Sequence, residues 1–75
     1  MELSGKRGAL TFTDRERDIL RGIVDGLSNK EIACRLNVPE TTVKAGVQRL
    51  FEKAGARTRG SFVRIALEKY RDLIS

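Results

Sequence analysis

The sequence predicts an all-α, four-helix bundle-like domain containing a helix-turn-helix. Three observations predict it. Thr13 with Glu16, and Ser28 with Glu31, form capping boxes at the required three-residue spacing, each followed by apolar residues at helical spacing. No stretch alternates apolar and polar residues as a half-buried strand would. The one proline, Pro39, lies between two helical patterns rather than inside one.

Taken in order, Met1 to Ala9 holds Gly5, Lys6, Arg7 and Gly8 without an apolar period and reads as a flexible N-terminal arm, so the domain takes residues 10–75. Helix one runs over Asp14–Asp25: Thr13 caps it, Ile19, Leu20, Ile23, Val24 and Leu27 mark its buried face, and Gly26 suits a left-handed C-cap. Helix two runs over Asn29–Leu36 on the stripe Ile32, Ala33 and Leu36, with Cys34 at its edge. Asn37-Val38-Pro39 breaks it, because proline lacks an amide donor and disfavours helix in the residue before it. Helix three starts at or just after Pro39, buries Val43, Val47, Leu50 and Ala54, and ends at Gly55. Helix four is capped by Thr58 and carries Phe62, Val63, Ala66, Leu67, Tyr70 and Ile74.

At 75 residues, with 40% apolar and 5% aromatic side chains, the chain has room for one small core. One cysteine allows no internal disulfide, and no histidine is present for a Cys/His zinc site or a Ser-His or Cys-His pair, so catalysis is the weakest class of function. No apolar run approaches the length of a membrane span, the short acidic start Met1-Glu2-Leu3-Ser4-Gly5 is unlike a signal peptide, and the expected setting is the cytoplasm. The expectation is action without cofactor, metal or small-molecule ligand. The sequence suits a chain that stands alone, controlled by its abundance or a partner, as well as one part of a longer protein.

Charge is unevenly placed. The net charge is +5, and the window from Thr41 to Arg64 carries Lys44, Arg49, Lys53, Arg57, Arg59 and Arg64 against Glu52 alone. A localised basic surface fits a polyanion, and it also fits a solvated face of an ordinary basic protein. The helix-turn-helix adds a use for it. A second helix of this kind can enter the major groove, about 12 Å wide, and meet base edges. Its outer face presents Thr41, Lys44, Ala45 and Gln48, with Arg49 at the flank. Lysine can donate to guanine O6 and N7, glutamine can pair with adenine, and alanine can meet a thymine methyl. A protein-interaction module using the same face is the alternative. RNA ranks third, because stacking aromatics are scarce.

Leu27-Ser28-Asn29-Lys30-Glu31-Ile32-Ala33, then Leu36, Val38 and Thr42-Val43-Lys44, resemble the DNA-binding domain of the LuxR/FixJ/NarL family of bacterial regulators. Thr13, Arg15-Glu16 and Ile19-Leu20 fit that family's first helix, and Lys53, Gly55, Arg57, Thr58 and Arg59 fit its helix-three exit, so the resemblance spans about Phe12 to Leu67. It implies a four-helix transcription-regulator domain whose third helix reads double-stranded DNA and whose fourth often pairs two copies. Base contacts then fall on Lys44, Ala45, Gln48 and Arg49, and backbone contacts on Lys30 and on Thr41 or Thr42. It also suggests an ion pair between Glu16 and Arg57. Three departures from the family pattern stand out: Pro39 where Ser or Thr caps helix three, Gly46 where His is common, and Glu52 where a basic residue is common. Pro39 supplies no capping oxygen, Gly46 is expected to loosen the helix, and Glu52 is expected to keep the C-terminal half of helix three off phosphate.

Helix four suggests a homodimer on DNA. If Val63, Ala66, Leu67 and Tyr70 face the core, Ile65 points outward among Arg64, Glu68 and Lys69. A two-fold axis could set that patch against its copy.

Overall fold

The computed structural model describes residues 12–74, and the expected arm, Met1 to Ala9, lies outside them. The described residues form five α-helices and no strand: α1 Asp14–Val24, α2 Asn29–Leu36, α3 Glu40–Ala54, α4 Arg59–Lys69 and α5 Arg71–Ile74. The all-α class is as expected, but the number of helices is not. The fourth helix breaks at Tyr70, where φ is −117° and ψ is 28°, and a separate turn follows. Two contacts account for the break. The Tyr70 ring is buried edge-on against Phe12, with centroids 5.1 Å apart, and Arg21 Nε on α1 donates to the Leu73 carbonyl at 3.1 Å. Neither Gly nor Pro marks the position, so apolar spacing alone runs straight through it.

Each helix start is set locally. The Thr13 hydroxyl accepts from the Glu16 amide at 3.0 Å while Glu16 Oε1 accepts from the Thr13 amide at 2.9 Å. Ser28 and Glu31 repeat this for α2 at 3.1 and 2.8 Å, and Thr58 with Ser61 for α4 at 3.0 and 3.2 Å. Helix ends are equally regular. Gly26 (φ 85°), Asn37 (φ 58°) and Gly55 (φ 73°) adopt the left-handed conformation after α1, α2 and α3. In each case the next amide reaches back to close a Schellman motif: Leu27 to Gly22, Val38 to Ala33 and Ala56 to Phe51, at 3.0, 3.1 and 2.9 Å. Asparagine tolerates this conformation better than other non-glycine residues, which is why α2 can stop without a glycine.

The core is shared by all the longer helices: Ile19, Leu20 and Ile23 from α1, Ile32 and Ala33 from α2, Val43, Val47 and Leu50 from α3, Phe62 and Ala66 from α4. Each large buried aliphatic or aromatic side chain stabilises the fold by about 1.5–3 kcal/mol relative to exposure. Helix α1 is the hub and touches every other helix. Gly46 permits this packing. A Cβ there would lie 2.5 Å from Ile19 Cδ1, so its absence lets α3 approach α1 closely, whereas the sequence had suggested only a looser helix.

Two further expectations are corrected. The buried stripe of α4 is Phe62, Ala66 and Tyr70, with Ile65 half-buried and packed on the core, whereas Leu67 is 48% exposed. Cys34 is exposed rather than at the edge of the core.

Candidate nucleic-acid interface

Helices α2 and α3 form a helix-turn-helix through Asn37, Val38 and Pro39. Asn37 reverses the chain in its left-handed conformation, and Pro39, at φ −63° and ψ 149°, starts α3 without strain. No side chain caps α3, as its proline requires. Its first bonds are from the Thr42 and Val43 amides to the Pro39 carbonyl, at 3.0 and 3.4 Å.

One face of α3 buries Val43, Gly46, Val47 and Leu50. The other exposes Thr41, Lys44, Ala45, Gln48, Arg49 and Glu52, while Thr42 is half-buried. Lys30 is exposed in the first turn of α2. Among the described residues, Lys30, Lys44 and Arg49 take no ion pair, so no protein carboxylate neutralises these cations at contact distance. The expected base-contact residues therefore lie together on one exposed strip of α3. Lys30 stands on the neighbouring helix, and Thr41 is at the strip's N-terminal end.

Not every cation of the basic window is available. Lys53 Nζ pairs with Glu16 Oε1 at 2.7 Å and lies 5.0 Å from the Phe12 ring centroid, so Glu16 takes Lys53 and not Arg57. Burial pushes the Glu16 carboxyl up. The Lys53 hydrogen bond, the Thr13 amide and the charges of Lys53 and Arg49 outweigh it and hold the group below its ordinary value. Arg59 is half-buried, and its guanidinium donates to Asn29 Oδ1 at 2.8 Å and to the Leu27 carbonyl at 2.6 Å. Both contacts span some thirty residues or more of sequence, and no local spacing rule signals them. Glu31 is also held below its ordinary value, by the Ser28 amide and hydroxyl.

A helix-turn-helix on a shared core, with uncompensated cations and polar side chains along its second helix, defines a DNA-binding domain of the transcription-regulator class. Comparison with known proteins gives the family. Residues 10–66 match the family described as GerE, bacterial regulatory proteins of the luxR family, and the chain belongs to it. It is 44% identical over 59 residues to the probable transcriptional regulator ycf29 of Cyanophora paradoxa, covering 79% of this chain and 28% of that protein. To the nitrate/nitrite response regulator protein NarP of Escherichia coli it is 47% identical over 48 residues, 64% of this chain and 22% of that one. To NarL of the same organism it is 44% identical over 54 residues, 72% and 25% of the two chains. The chain thus spans about a quarter of the length of the curated relatives it matches. No solved structure matches. Among the described residues, no helix is long and apolar enough to cross a membrane.

Proposed function

We propose that the chain binds double-stranded DNA sequence-specifically as part of a bacterial transcription regulator, with α3 in the major groove. The observation that carries this reading is the exposed strip Lys44, Ala45, Gln48 and Arg49 on a helix whose opposite face is locked into the core. Lys44 donates to guanine, Gln48 pairs with adenine, Arg49 serves a flanking base or phosphate, and Ala45 lets the helix approach. Lys30 and the first turn of α2 meet phosphate, together with Thr41 or Thr42. Relatives whose names describe transcriptional and response regulators support the reading. Such work belongs in the cytoplasm, on the nucleoid.

Two copies bind together through the outward face of α4. Arg64, Glu68 and Lys69 are exposed on α4, with Leu67 the exposed apolar residue on one flank of that face and Ile65, half-buried, on the other.

Binding to labelled duplexes read against salt tests the proposal. Lys30→Ala should weaken specific and random duplexes alike and lower the log–log salt slope by about 1. Lys44→Ala should instead lose about 1–3 kcal/mol of discrimination at particular base pairs. Equal losses on specific and random DNA for both variants would remove α3 from the role of reader. A parent protein with no salt-dependent binding would favour the protein-interaction module.

A further inference from the structure

We propose that Arg59 is a positioning residue for DNA binding: it holds the phosphate-facing start of α2 from the first turn of α4, and does not itself contact DNA. This rests on the DNA-binding reading above.

Arg59 is the first residue of α4, and no acidic residue stands in that first turn. A cation there opposes the helix dipole, so the residue has no local reason to be an arginine. Its contacts supply one. One guanidinium nitrogen donates to the side chain of Asn29, the first residue of α2, and the other to the carbonyl of Leu27, just before the Ser28 cap. A planar fork can meet two acceptors at once in fixed directions, which a lysine ammonium on a flexible stem does not reproduce. Charge-assisted bonds of this kind are the stronger class, and both acceptors are part-buried.

The start of α2 is thereby held from three directions. The Ser28–Glu31 capping box acts from within the helix, the Leu27 amide is tied to the Gly22 carbonyl of α1, and Arg59 reaches in from α4. Lys30 follows Asn29 directly and is exposed. A small rotation of this turn would displace Lys30 and the unpaired first amides of α2 relative to the reading strip of α3. Arg59 is half-buried, and each of its terminal nitrogens spends one N–H on an acceptor at the start of α2, which orients the guanidinium toward that turn.

Anisotropy of a fluorescein-labelled mixed-sequence duplex, titrated against salt, tests this on the full chain. The parent is compared with Arg59→Gln, Arg59→Lys, Asn29→Ala, Lys30→Ala and the pair Arg59→Gln/Lys30→Ala, at a temperature where circular dichroism shows each folded. Arg59→Gln and Arg59→Lys should each weaken binding about fivefold or more, and Asn29→Ala should weaken it in the same direction. In the Lys30→Ala background the Arg59 change should add no more than about twofold, with no further drop in salt slope. Should Arg59→Gln prove poorly folded, Arg59→Lys and Asn29→Ala carry the test. Folded variants that bind like the parent would show that Arg59 serves stability only. Additive losses with the slope lowered by about 1 more would make it a phosphate contact. Either result overturns the inference alone, whereas a parent that binds no duplex overturns the DNA-binding reading and this inference with it.

Discussion

At the scale of single residues, Glu16 serves two elements at once. It closes the cap of α1 through the Thr13 amide and takes the Lys53 ammonium from α3. Its cap role was legible from the three-residue spacing, but its partner was not. Arg57 and Lys53 are both basic, and only the packed geometry chooses between them. Because the folded state holds its carboxyl below the usual 4.5, Glu16 contributes stability that is full above that value and is lost as pH falls through the lowered one. Glu31 adds an effect of the same sign. Glu16→Gln keeps a capping-box acceptor and removes the charge. It should cost about 1–2 kcal/mol near neutral pH and leave a shallower loss of stability on acidification, read from urea unfolding at neutral and acid pH. An unchanged acid limb would contradict the assignment. Gly46 is a second case, since its sequence reads as a weak helix position and only the neighbouring Ile19 shows why a side chain does not fit.

At the scale of elements, most of the chain was legible. Capping boxes, apolar spacing and glycine stops place α1 to α3 and the start of α4 within about a residue, because the signals at their ends are local hydrogen-bonding requirements. The break before α5 was hidden, since long-range contacts of Tyr70 and Leu73 create it. The face of α4 was misjudged for a related reason. Ile65 and Leu67 flank the buried stripe on opposite sides, and only the neighbouring helices determine which flank is covered. The α3 start is the weakest local feature, having no side-chain cap. Pro39→Ser should add a hydroxyl acceptor, typically about 1 kcal/mol, against about 0.4–1 kcal/mol lost because proline no longer restrains the unfolded chain. The net expected in a thermal melt is a gain of up to about 0.5 kcal/mol, or about 2–4 °C. A clear fall in melting temperature would show that Pro39 already stabilises its turn better than a cap could.

At the scale of the whole molecule, the hub role of α1 joins the exposed strip of α3 and the outward face of α4 in one small packed unit. A single copy offers one helix, α3, to a groove, and one such helix would reach only a few base pairs. Pairing through Leu67 would let two reading strips meet successive half-sites. Leu67→Asp should preserve folding and binding to one half-site while removing the cooperative gain on a paired site, expected at about tenfold or 1.4 kcal/mol. Gel shifts on single and paired sites measure it, and undiminished cooperativity would place the interface elsewhere. The central claim is that α3 reads sequence, and selection of bound duplexes from a random pool tests it most directly. The parent should enrich a defined motif, and Gln48→Ala should enrich the same motif with preference relaxed at one or two adjacent base pairs of each half-site. No motif from the parent, or an unaltered motif from Gln48→Ala and Lys44→Ala alike, would contradict it.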